Sequence, residues 1–499
     1  MANERTPLLT EENRSASEPA VTTVNRDPEA SQSLGRSESS GDLPKDVEEA
    51  HNIVYERFSR KQKAVILWIV SYVGLIPLFI SGSFFPSIPD IAKDLNTTGE
   101  AVSLTVSIAV FASSLGALIG AAFASFYGRR RIYLIGLPFL IVGSMGTALS
   151  RTIGELMIWR FIQVIGVSFG ISVGAAVIGD IFKLEERGTA MGIFFAACLI
   201  GPALAPVVGG IAAHYASWRV MQAGLGVAGV LGFACVALFL PETSLPGTRG
   251  IDKRRAELGR ENVPFVFPNP FKALSLLRSP VIVAVSLAGT VVLYTDYVLL
   301  LPLPYTIAPR YGITNQAAIG LCYVPIGIGN FVGAPFAGWL SDKVVTRMRR
   351  KRGGVWCPED RLRPTLLGAA LYVPLSVLGV GIITKYVPGT VGLTLNMICF
   401  FFNGFGVDMV LSPSSAYIVD IMHSRSAESV AATNGLRSFV MSAAIAGITP
   451  TINHVGILWT NVIAAAVAWV GFGLILVVLR YGERMRKWLD VGYSTAENN

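Results

Sequence analysis

The chain has 499 residues, of which 52% are hydrophobic and 15% charged, with a mean hydropathy of +0.54. A soluble domain carries about a quarter charged residues, so the composition excludes an ordinary water-soluble fold and makes the bilayer the expected solvent. The formal net charge of +8 follows the segments between the apolar runs, which removes the case for a nucleic-acid partner.

Residues 1–60 are rich in Ser, Glu, Asn and Thr with few large apolar groups. They cannot bury enough surface to offset chain entropy and are expected to form a disordered cytosolic tail. No apolar core of a signal peptide is present, so the first span is expected to direct insertion. Within this tail Glu4-Arg5-Thr6-Pro7-Leu8-Leu9 resembles an acidic dileucine sorting signal of vacuolar or lysosomal membrane proteins.

A transmembrane helix needs roughly 20 mainly apolar residues. Twelve such runs occur, at 64–86, 101–125, 132–150, 155–178, 189–212, 219–240, 280–301, 317–340, 364–384, 388–412, 429–450 and 457–479. They predict an all-α polytopic protein. Alternate loops and the C-terminal tail hold about 25 Lys and Arg, and the remaining loops about four, which places both termini on the cytosolic side. Asn96-Thr97-Thr98, in the first outer loop, is a glycosylation sequon with Asn96 as the acceptor. The basic run Arg347, Arg349, Arg350, Lys351 and Arg352 either meets acidic lipid heads or serves as a solvated topology determinant.

A polar stretch at 241–279 divides the spans six and six, giving bundles at 61–240 and 280–480 and a cytosolic tail at 481–499. The halves echo each other. Gly128-Arg129-Arg130 follows the second span as Gly338 and Asp342-Lys343 follow the eighth, and Asp180 closes the fourth span as Asp420 closes the tenth. A parallel repeat of two six-helix bundles is a recurring transporter architecture.

Several chemistries find no support. No GxxxxGK[ST] phosphate loop is present, and Gly224-Leu225-Gly226-Val227-Ala228-Gly229 lies inside an apolar span, where it reads as close helix packing. Cys198, Cys235, Cys322, Cys357 and Cys399 form no CxxC pair, and His51, His214, His423 and His454 are widely spaced. No metal, cofactor or hydrolytic constellation is indicated, so the chain is not expected to be an enzyme.

Charges inside spans are costly and mark function by default. Arg160 and Gln163 lie in the fourth span, Asp296 in the seventh, Asp408 in the tenth and Arg437 in the eleventh. Asp296, between Thr295 and Tyr297 with Tyr294 nearby, is a candidate for a proton or a cationic substrate, with a structural pairing as the alternative. Asp408 and Arg437 are either coupling residues or a fixed ion pair. Tyr323, Asn330, Asn403 and Gln163 are candidate cavity residues.

In the fifth span Gly192 is followed by Gly201-Pro202-Ala203-Leu204-Ala205-Pro206-Val207-Val208-Gly209-Gly210. Pro202 and Pro206 each remove a helix hydrogen bond, while the glycines admit a close neighbour, so a bent helix able to gate or seal is expected. This stretch resembles the antiporter signature of the major facilitator superfamily, with Ala205 where Gly is usual. Arg160-Phe161-Ile162-Gln163-Val164-Ile165-Gly166 resembles that family's RxxQG motif, which implies a role for Arg160 in proton transfer; the alternative is a tie to Gln163 or a helix carbonyl. Tyr417-Ile418-Val419-Asp420, Ser426-Ala427-Glu428, Asn434, Arg437, the loop Asp180 to Arg187-Gly188, and Pro241-Glu242-Thr243 are similar to fungal 12-helix drug:proton antiporters.

The loop after the second span departs from that pattern, because Ala121, Ser125 and Phe126 stand where Gly, Asp and a basic residue are usual. The resemblance implies that the acid helps latch the halves, so the latch is expected to be asymmetric and to rest on Asp342. It also implies a monomeric antiporter that exchanges a drug, polyamine, organic acid or secondary metabolite for protons. The plasma membrane is the family's usual location and the vacuole is the alternative favoured by the dileucine match. Uptake by symport or facilitated diffusion shares the fold, and a membrane-embedded enzyme is the alternative of another class.

Overall fold

Hydrocarbon offers no partner to a backbone N–H or C=O, so an apolar run that enters it must satisfy those groups as a helix. The computed structural model describes residues 57–244, 247–260, 264–422 and 425–493; the dileucine-like segment, His51 and His423 lie outside the described residues. Twelve long helices are found among them. The first half holds α1 (Arg60–Phe84), α2 (Gly99–Tyr127), α3 (Arg129–Leu149), α4 (Ile153–Ile181), α5 (Leu184–Tyr215) and α6 (Trp218–Phe239). The second holds α7 (Pro280–Leu300), α8 (Gln316–Lys351), α9 (Pro358–Tyr386), α10 (Gly389–Ile421), α11 (Ser426–Ala446) and α12 (Ile448–Trp488). Polar side chains start several of them: Ser59 and Gln62 form a reciprocal capping box on α1, and Thr98, Thr152, Ser217 and Ser279 cap α2, α4, α6 and α7.

Eleven of the twelve are long and apolar enough to cross a bilayer by length and composition. The exception is α11, whose 21 residues include Glu428, Asn434 and Arg437; it is packed between α2 and α7. Other details also differ from the apolar pattern. Four residues, Gly166–Phe169, interrupt α4. The last helix bends at Gly456 (φ 83°) and runs on to Trp488, so the region expected to be tail begins as ordered helix. The central segment is not featureless either, since it contains a helix at Gly250–Leu258 and a helical turn at Pro270–Arg278.

The halves repeat one packing scheme. The pairs α1·α5, α2·α4, α3·α4 and α3·α6 recur as α7·α11, α8·α10, α9·α10 and α9·α12. Each half has its own apolar core, one built around Val70, Tyr133 and Phe194 and the other around Val285, Tyr417 and Val478. A third core draws on both halves: Phe84, Phe85, Ile88 and Val106 pack with Leu299, Leu303, Tyr323 and Ile445. It lies at the end of the bundle remote from residues 247–279. That remote end is called the sealed end below, and the end with Arg129–Arg131 and Arg347–Arg352 the basic end.

Two seams join the halves. Along α2 and α11, Ser107 Oγ donates to the Ser442 carbonyl (2.5 Å) and Ser114 Oγ to the Gly435 carbonyl (2.8 Å). Along α5 and α8 the backbones themselves approach. A Cβ at Gly210 would sit 2.4 Å from the Gln316 carbonyl oxygen, one at Gly320 2.5 Å from that of Pro206, and one at Gly327 2.4 Å from Ala203 Cα. Toward the basic end this closeness is lost, and a Cβ at Gly192 or Gly338 would meet nothing within 4 Å.

Candidate functional site

Among the described residues, each half holds a buried polar cluster built on the charged side chains read from its spans. In the first, Arg160 is 1% exposed and its Nη1 donates to Gln163 Oε1 (3.0 Å). Their spacing of three residues on α4 puts both on one helix face. Gln163 Nε2 donates in turn to Ser144 Oγ on α3 (2.9 Å) and Gln222 Oε1 on α6 (3.0 Å). Gly143 makes the approach of α3 possible, since a Cβ there would lie 2.4 Å from the Gln163 backbone nitrogen. The guanidinium stacks over the Phe84 ring at 4.2 Å from its centroid, and Arg160 Nε is buried without a hydrogen-bond partner.

The second cluster gathers α7, α8, α10 and α11. Asp296 is 4% exposed, its Oδ1 is unmatched, and Asn330 of α8 lies beside it. Arg437 Nη2 donates to Asn434 Oδ1 (2.7 Å) and stands within electrostatic reach of Asp408 and Tyr297. Asp408 and Arg437 form no direct ion pair among the described residues, so the fixed pair considered from sequence is not what the structure contains. Asn403 Nδ2 donates to Thr295 Oγ1 (3.2 Å) and Ser376 Oγ (3.1 Å), leaving Asn403 Oδ1 unmatched. Tyr323 has another use, its hydroxyl donating to the Leu300 carbonyl (3.0 Å), while Tyr294 is half-buried against the core shared by the halves.

Aromatic rings connect the clusters. Phe85, next to the ring that covers Arg160, stacks on Tyr323 with centroids 6.0 Å apart and meets Tyr297 edge-on at 6.3 Å. Phe111 of α2 touches Phe161 (6.5 Å) on one side and Phe439 (6.1 Å) on the other. Near the sealed end, Gln316 of α8 donates to Asp90 (3.1 Å) and contacts His214 Nδ1 of α5 (3.4 Å). Asn96 is exposed on the loop at that end, with φ 49°.

The α5 motif divides in two. Gly201, Gly209 and Gly210 lie in close seams, the first two against α1, where a Cβ at Gly201 would be 3.0 Å from Leu78 Cβ and one at Gly209 2.3 Å from the Ser83 carbonyl oxygen. Pro202 and Pro206 lie inside the helix between them, and Gly192 stands apart with open space around it.

The residues expected to latch the halves form clamps within each half. Arg129 Nε meets Asp180 (3.1 Å), Arg187 Nη2 donates to the Gly179 carbonyl (2.8 Å), and Arg130 Nη2 to the Ala237 carbonyl (2.7 Å). Gly128, at φ 104°, lets the Arg129 and Arg130 N–H groups reach the Glu242 carboxylate at 2.8 and 3.2 Å. In the second half Arg361 bridges Asp342 (2.9 Å) and Asp420 (2.5 Å), and Lys343 lies over Trp339. Ser125 has no such counterpart and lines a cavity of about 350 Å³ between α2, α11 and Pro268–Ala273.

Sequence reasoning missed Ser144, Gln222 and Arg361 as parts of these arrangements, and named Glu242 only within the Pro241-Glu242-Thr243 resemblance. Gln222 carried a signal, as a lone amide in an apolar span. Arg361 carried another, since it occupies the place in the second half that Arg129 has in the first.

Comparison with known proteins agrees with this architecture. The chain is 27% identical over 439 residues to the efflux pump radE of Floropilus chiversii, covering 84% of this chain and 80% of that one. It is 22% identical to the MFS antiporter QDR3 of Candida albicans, covering 87% and 80%. The partially occluded inward-open structure of the xylose transporter XylE from E. coli superposes with a TM-score of 0.63 at 14% identity, covering 87% of this chain and 99% of that one, which speaks for the fold alone. Residues 70–450 match the model of the Major Facilitator Superfamily, and the chain belongs to that superfamily.

Proposed function

We propose that this transporter exports a small organic molecule in exchange for protons, the two halves opening alternately to either side of the membrane as a monomer. The observation that carries the reading is the cluster of Asp296, Asp408 and Arg437. Buried Asp296 lies within electrostatic reach of half-buried Asp408, which in turn faces an arginine that hydrogen-bonds an amide, and among the described residues neither acid forms a contact ion pair. A proton relieves such a carboxylate of its charge, and because the two acids are coupled to each other while Arg437 faces Asp408, protonation of one affects the other. The efflux and antiport activities named for radE and QDR3 support export. The basic loops support a cytosolic face for both termini, and the plasma membrane is the proposed location.

The test uses purified protein in vesicles and the solute that accumulates in cells lacking the transporter. An inward-directed pH gradient is expected to drive its flux, with internal acidification or alkalinisation followed by a trapped dye. Asp296→Asn abolishes gradient-driven flux while retaining exchange of labelled for unlabelled solute. Unchanged gradient-driven flux in this variant removes Asp296 from the mechanism.

A further inference from the structure

Resting on the transporter reading above, we infer that Arg160 is the receptor for a carboxylate group of the transported molecule. A guanidinium has five N–H donors in a planar fork. Arg160 uses one of them, toward Gln163, among the described residues, and its Nε has no partner although it is fully enclosed. Among the described residues no carboxylate lies within ion-pair distance of it. Its polar neighbours Gln163, Gln222 and Ser144 are all neutral. A buried cation without a counter-charge is expensive in a membrane interior, and a ring face compensates only a part of that cost.

The other half answers its own charge, since Arg437 has Asp408 in reach. The first half therefore lacks one negative charge. The donors that remain include a guanidinium edge, whose geometry suits two parallel bonds to a planar carboxylate. A phosphate or sulfate group, carrying more charge on a tetrahedral frame, calls for more than one cation, and the cluster supplies a single one. Phe84 is the cover. It stacks on the guanidinium, and its neighbour Phe85 is held by Tyr297 and Tyr323 of the opposite half. Separation of the halves at the sealed end releases Phe85, and with it the ring over Arg160.

The experiment measures binding to the full-length protein in detergent by thermal shift and tryptophan fluorescence, with acetate, benzoate and citrate as probes beside their neutral amides. At least one carboxylate is expected to bind more tightly than its amide by about tenfold or more. Arg160→Gln removes that preference, Arg160→Lys keeps the charge and retains part of it, and Gln222→Ala, which leaves the arginine in place, weakens it by a smaller factor. Equal binding of every acid and its amide, or a preference that survives Arg160→Gln in folded protein, overturns the inference; if that variant does not fold, a preference unmoved in both Arg160→Lys and Gln222→Ala does so. Failure of the antiport reading looks different, because carboxylate binding through Arg160 then persists while no pH gradient drives flux.

Discussion

A single arginine behaves differently in the two halves because its carboxylate complement differs. Arg361 spans Asp342 and Asp420 and so ties α8 and α10 to the start of α9, whereas Arg129 has Asp180. Its second acid is missing where Ser125 replaces the carboxylate. Charged hydrogen bonds at part-buried sites contribute on the order of 1–2 kcal/mol each once solvent screening is allowed for. Arg361→Gln is thus expected to lower the melting temperature in detergent more than Arg129→Gln does, and Asp342→Asn to account for part of the difference. Equal melting temperatures for the two arginine variants refute this. Arg160 and Gln163 were legible as a pair because one helix turn joins them. Their partners Ser144 and Gln222 were not, since they come from α3 and α6 and meet Gln163 through tertiary packing that a linear pattern does not encode.

At the scale of the helix, the seam between α5 and α8 is made of backbone meeting backbone. Gly320 illustrates how tight it is, with the Pro206 carbonyl oxygen 2.5 Å from where a Cβ would sit. Gly320→Val has no flexible neighbour to displace, and overpacking of this kind costs about 1–3 kcal/mol. Solute exchange in vesicles is expected to fall about tenfold or more with insertion preserved. Gly224→Ala in α6, which faces open space, is the control expected to keep wild-type exchange. If both variants exchange at the wild-type rate, the seam is not a moving part. The spans themselves were legible because twenty apolar residues are a local signal. The break in α4 was not, and neither was the extension of α12. Residues Tyr481–Trp488 look like a polar tail, yet Arg486 pairs with Glu359 and meets the Tyr417 hydroxyl (3.0 Å), while Lys487 pairs with Glu483 (2.7 Å), within a continuous helix.

For the whole molecule, the halves are joined by a shared core at one end and are less closely apposed at the other. Bridging Asp90→Cys and Gln316→Cys with a short bis-maleimide, after replacement of the five native cysteines, fastens the sealed end. Flux is expected to drop to background on bridging and to stay near normal in either single variant. Flux that survives complete bridging excludes opening at that end. The nature of this seal has a consequence for the conditions under which the transporter works. Phe85, Ile88, Leu303, Tyr323 and Ile445 hold it by burial from water, and Gln316 adds an amide contact to Asp90. Apolar burial weakens on cooling and is little affected by ionic strength, whereas exposed ion pairs are screened by salt. On the proposed alternating mechanism, the balance between the two orientations is therefore expected to drift with temperature and to be nearly indifferent to salinity, with cold favouring release of the seal that warmth maintains.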